Sequence, residues 1–130
     1  MRLHHTFYTI PTSGAADLRH FYGDLLGLPE IPPARELEGM PLIWFQVGES
    51  HLHFRLDDNW ERGHEAHHIA LHSDDLGSMF DRLRAEGIEI VANVGFQEYG
   101  YRRFYVHDPF GRQVELIEPL TARQSPAQTE

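Results

Sequence analysis

Residues 66–72 read AHHIALH, and residues 3–9 read LHHTFYT. Each stretch sets a histidine doublet at the start of a short apolar run. In residues 3–10 the two faces alternate as in a strand: Leu3, His5, Phe7 and Thr9 on one, His4, Thr6, Tyr8 and Ile10 on the other. Turn chemistry follows in PTSGA, residues 11–15, and the period then changes. Leu18, Phe21, Tyr22, Leu25 and Leu26 recur at helical spacing, and Gly27 stands where a helix C-cap glycine belongs. A proline-rich loop leads to PLIWFQV, a break at Gly48-Glu49, and a further strand, HLHFRL at 51–56. Residues 57–65, DDNWERGHE, read as a linker.

From His67 the order restarts. HHIALHS is a strand, and DDLGSMFDRLRAEG at 74–87 is a helix with Asp74 or Asp75 as N-cap and Gly87 at its C-cap. Ile88–Val91 is a short strand, and YRRFYVH at 101–107 is another. Asp108-Pro109-Phe110-Gly111 fits a type I turn, and Arg112–Glu118 is the last strand. The polar tail at 121–130 is expected to be disordered.

Strand, helix and several strands therefore occur twice, which is an internal repeat. His5 falls on His68 at an offset of 63 (68 − 5), and His53 falls on Glu115 at an offset of 62 (115 − 53). The two offsets come from different strands and nearly agree. If the halves pack about a pseudo-twofold axis, His5 faces His68 and His53 faces Glu115, each on a strand face away from the helix. Three imidazoles and a carboxylate suit a divalent transition metal, because imidazole is a borderline ligand and the carboxylate compensates charge.

Composition narrows the field. The 130 residues suit one compact domain or two fused modules. A net charge of −9 disfavours nucleic acid and anionic membrane, which need a basic footprint. No apolar run approaches a membrane span of roughly 20 residues, and the N-terminus lacks the apolar core of a secretory signal. Cysteine is absent, so thiolate ligands are excluded, which fits a cytoplasmic location. The ten histidines are not a terminal tag.

Taken together, LHHTFY, HFYGDLLGL, HHIALHS and above all YRRFYVHDPFGRQVELIEP resemble the vicinal oxygen chelate superfamily. That superfamily includes glyoxalase I, extradiol dioxygenases, fosfomycin-resistance proteins, methylmalonyl-CoA epimerase and bleomycin-binding proteins. The resemblance covers about residues 3–119. It implies an α+β fold of two tandem βαβββ modules, at 1–60 and 61–120, forming a half-open barrel around a metal. It implies His5, His53, His68 and Glu115 as ligands of Zn, Ni, Fe or Mn, with Glu115 and His53 in catalytic roles. It further implies a small-molecule substrate with two neighbouring oxygens, and a homodimer.

One position departs from the pattern. Glyoxalase I usually has Glu where this chain has His53, and extradiol dioxygenases leave that position without a ligand and use two His and one Glu, so His53 is read either as a fourth ligand or as a proton-transfer group beside the ligands. Three readings follow: a glyoxalase-type lyase or isomerase, an Fe-dependent extradiol dioxygenase, and a small-molecule binding protein of the resistance type. Nothing in the sequence marks a glutathione site.

The remaining histidines have a plainer reading. An isolated strand histidine is ordinarily a surface or satisfied core residue, and His4, His20, His64 and His67 are read so. His72 and His107 are read as surface groups first, with His72 a candidate at the substrate. Arg102 and Arg103 are candidates for a bidentate clamp on a substrate carboxylate, or for surface ion pairs. Trp44, Phe45, Phe7, Tyr99 and Tyr101 are read as core, with a minority lining an apolar pocket.

Overall fold

A computed structural model describes residues 1–96 and 100–120. Tyr99 and the tail at 121–130 lie outside the described residues. The chain divides into two compact units, Met1–Gly63 and His64–Glu130, with the division inside the stretch read as a linker.

In the first unit, β1 (His5–Ile10) leads to a short α-helix, α1 (Ala15–Leu18), which continues as a π-helical segment, Arg19–Leu25. Three strands follow: β2 (Glu30–Ile31), β3 (Leu42–Val47) and β4 (Ser50–Leu56). The sheet order is β1-β4-β3-β2, with β1 parallel to β4 and the other pairs antiparallel. A single helix was expected over 16–27. The structure instead widens its second half, where Leu26 N donates to Phe21 O across five residues. Hydrophobic spacing does not reveal this, because Leu18, Phe21, Tyr22, Leu25 and Leu26 are buried all the same. The strand β2 was missed because two residues between prolines carry no alternation.

The helical segment covers one face of the sheet. Tyr22 lies 5.0 Å from Phe54 and 6.1 Å from Phe45, ring to ring. Phe45, Phe54, Phe21 and Tyr22 are almost fully buried, and each such ring contributes about 1.5–3 kcal/mol. The opposite face carries His5 and Phe7 on β1, Trp44 on β3, and His51 and His53 on β4, by strand alternation. Gly48, at φ +58, closes the tight turn between β3 and β4.

The second unit repeats the plan with β5 (His68–His72), α2 (Leu76–Ala85), β6 (Ala92–Phe96), β7 (Tyr101–His107) and β8 (Gln113–Pro119). Its order, β5-β8-β7-β6, with β5 parallel to β8, matches the first sheet. Asp75 caps α2, its Oδ1 accepting from Ser78 N at 3.1 Å. Phe80 of α2 meets Phe104 of β7 at 5.4 Å. After Asp108, the Gly111 N–H donates to Asp108 O at 3.0 Å, closing the expected turn.

The expected strand at Ile88–Val91 is not formed; the strand is Ala92–Phe96. The chain needs the residues after Gly87 to travel from the helix end, and Val91 N makes the first bond to Tyr105 O at 2.8 Å. No helix among the described residues is long and apolar enough to cross a membrane.

The registers reproduce the repeat. His5 pairs with His51, and His68 pairs with Gln113. Phe7 pairs with His53, and Ala70 with Glu115. Each unit thus sets its first-strand histidine beside the same step of its last strand.

Candidate functional site

Each unit brings together the two residues that the repeat singled out in it. In the first unit, His5 and His53 stack at 4.2 Å between ring centroids and 17° between planes. Trp44 stacks on His53, at 3.6 Å and 5°. Trp44 is opposite His53 in the antiparallel register of β3 and β4, so the indole forms one wall for that imidazole. The Trp44 indole nitrogen is buried without a partner among the described residues.

Two further histidines join this cluster. His4 Nδ1 lies 2.8 Å from His5 Nδ1, and His51 Nδ1 lies 3.1 Å from His53 Nε2. His53 is only 3% exposed. Burial pushes its pKa down to about 4, and the neighbouring imidazoles of His5, His51 and His4 push the same way. His53 is therefore a neutral imidazole at pH 7, the form that binds metals.

In the second unit, His68 Nε2 lies 3.1 Å from Glu115 Oε1. Arg103 Nη1 donates to the other carboxylate oxygen, Oε2, at 3.2 Å. The Arg103 guanidinium also lies over the Tyr105 ring, 5.1 Å from its centroid. Glu115 is buried, which only a partnered charge tolerates. His68 Nδ1 contacts Ala66 O at 3.2 Å, which sets Nε2 toward the carboxylate.

The two arginines part company. Arg103 shares the face of Glu115 and His68. Arg102 points to the other face of β7, binding Glu118 Oε2 through Nε at 3.0 Å and Nη2 at 2.9 Å. Glu118 in turn accepts from Leu76 N at the start of α2, at 3.1 Å. A clamp made by both arginines is thus not available: adjacent strand residues face opposite sides, and Arg102 holds Glu118, which ties β8 to the helix. His72 is exposed and stands on the His68 face of β5, while His107 is exposed at the end of β7. Phe45 is core as expected; Phe7 is 47% exposed.

Sequence reasoning passed over Trp44, His4 and the Arg103–Glu115 pair. Trp44 was accessible to it. Counting back from the Gly48-Glu49 turn pairs Val47 with Ser50 and so Trp44 with His53. The donor chemistry fits a divalent cation, with imidazoles in one unit and an imidazole beside a carboxylate in the other. Among the described residues, no three or more His, Asp or Glu side chains gather as a metal-holding group.

Comparisons with known proteins agree with this architecture. The model of the Glyoxalase/Bleomycin resistance protein/Dioxygenase superfamily matches residues 2–116. A glyoxalase family protein from Bacillus anthracis is 28% identical with a TM-score of 0.81, over 92% of this chain and 95% of that one. A lactoylglutathione lyase from Agrobacterium tumefaciens is 23% identical with a TM-score of 0.67, over 90% and 92%. The fosfomycin resistance protein FosX from Listeria monocytogenes is 16% identical with a TM-score of 0.73, over 96% and 98%. The last two likenesses concern the fold alone. No match was found among curated proteins.

Proposed function

The chain belongs to the glyoxalase/bleomycin resistance protein/dioxygenase superfamily, and from that premise we propose that it is a metal-dependent enzyme of the glyoxalase type. It is a lyase or isomerase acting on a small molecule with two neighbouring oxygens. His5, His53, His68 and Glu115 are the ligands of a divalent ion, and the chain forms a homodimer. The observation that carries this reading is the pairing of His5 with His53 and of His68 with Glu115 at equivalent places in the two units.

The bound ion supplies Lewis-acid polarisation of the substrate oxygens. The rest falls to the chain. His53, neutral down to about pH 4, acts as a ligand and not as a proton donor at neutral pH. Glu115 has one oxygen on His68 and the other on Arg103, so it can turn from one partner while the second holds it. That makes Glu115 the group that takes a proton from a carbon next to the polarised oxygens and returns it to the neighbouring atom. Arg103 keeps the carboxylate in place during the transfer. Trp44 and His5 restrain the plane of His53. An extra imidazole where a dioxygenase keeps an open coordination position favours the lyase or isomerase reading over ring cleavage.

Elemental analysis of protein purified without added metal tests the proposal. About one equivalent of Zn, Ni, Fe or Mn is expected in the wild type and is lost in His68→Ala. Turnover of a small substrate with two neighbouring oxygens, without oxygen uptake, is expected, and oxygen uptake with catechols would move the assignment to a dioxygenase. A wild type that neither carries metal nor takes up these ions would overturn it in favour of a binding protein.

A further inference from the structure

The first unit carries a donor pair that the four-ligand scheme leaves half used. His51 and His53 are two residues apart on β4, so both rings leave the same face of the strand. Nδ1 of His51 and Nε2 of His53 are 3.1 Å apart. Two imidazole nitrogens on one ion, with bonds of about 2.0–2.1 Å, lie about 2.9 Å apart at a right angle and about 3.3 Å apart at the tetrahedral angle. The observed spacing lies between these values.

We propose that His51 and His53 form a His-X-His chelate, so that the first unit binds a divalent transition metal without any ligand from the second. Two features support it. The ring of His53 is already held between Trp44 at 3.6 Å and His5 at 4.2 Å, so little rotational freedom is lost on binding. The strand backbone fixes the spacing of the two rings, as a loop would not. Imidazole pairs select Cu²⁺ and Ni²⁺ over Mn²⁺.

The inference shares His53 with the proposed function, and its test uses a chain in which the second unit's ligands are gone. The full-length His68→Ala/Glu115→Gln variant, with Trp60→Phe so that emission comes from Trp44, is titrated with NiCl₂ and with CuCl₂. Calorimetry and Trp44 fluorescence are read together, and circular dichroism checks the fold. One equivalent is expected to bind, at least 100-fold more weakly than to wild type, with quenching of Trp44. Adding His51→Ala, or the closer-sized His51→Gln, is expected to weaken it at least tenfold further, while His4→Ala changes it less than twofold. Binding unaffected by His51→Ala, or abolished by His4→Ala, overturns the chelate. Wild type that binds metal beside a double variant that binds none overturns this inference alone. Wild type that binds none overturns the proposed function with it.

Discussion

In the first unit the histidine that begins the sheet meets another imidazole, His5 against His53 at 4.2 Å. In the second its counterpart meets a carboxylate, His68 against Glu115 at 3.1 Å. The backbones do the same thing in both places, down to the register of the parallel strand pair. The surroundings differ. His53 is buried against an indole and among other imidazoles, and burial first, then those neighbours, favours its uncharged form. Glu115 sits beside Arg103, so its charge is matched. A buried strand position accepts either a neutral base or an ionised acid, and the neighbour on the adjacent strand decides which: Trp44 in one unit, Arg103 in the other.

This contrast can be broken at its strongest point by removing Glu115. Glu115→Ala leaves Arg103 and His68 without their shared acceptor, and a loss of about 3–4 kcal/mol is expected in urea unfolding. The matched change in the other unit, His53→Ala, removes a stacked ring but no ion pair, and about 2 kcal/mol is expected. Equal losses would mean that the two pairs stand on the same energetics.

Acid tests the neutral half. In the metal-free chain, His53 has a folded pKa of about 4 against an ordinary 6.5. Between those values the unfolded chain binds more protons, so stability falls as pH falls from 6.5 to 4. The difference, 6.5 − 4, corresponds to about 3 kcal/mol. Unfolding at pH 7 and pH 4 should show that loss, and His53→Phe should remove it while leaving the contribution of the second unit.

A smaller effect sharpens the role of the indole. Trp44→Leu keeps an apolar wall and removes the stack, for about 1.5 kcal/mol; no change in unfolding would leave Trp44 a bystander. Smaller again are the helix starts. Asp75 caps α2, and Asp75→Ala should cost about 1 kcal/mol. The cap position of α1 is Gly14, which makes no side-chain bond, so that helix start has no such contribution to lose.

Much of this was legible in the chain. Alternation in HTFYTI and HIALH set the faces, and the restart at His67 showed the repeat. The turn at Asp108–Gly111 followed from its residues. The site was legible only as far as period and offset reach. They name His5, His53, His68 and Glu115, but not what stands beside each. The pair Arg102-Arg103 looked like one feature, and alternation divides it between the helix face and the Glu115 face. The π-helical turn stayed hidden because Phe21, Tyr22 and Leu25 satisfy either winding. Ile88–Val91 looked like a strand, but bonding to β7 begins only at its last residue, Val91.

The parallel pairing within each unit has a kinetic consequence. His5 and His51 are neighbours in space and 46 residues apart in the chain (51 − 5); His68 and Gln113 are 45 apart (113 − 68). Closing such a loop costs about 3 kcal/mol of chain entropy before any contact repays it. The hairpin from β3 to β4 closes over two residues, and β7 and β8 are also near neighbours. Folding should therefore make the hairpins early and dock β1 and β5 late. His5 and His68 ride on those late strands, so the contacts to His53 and Glu115 are among the last formed as each unit folds.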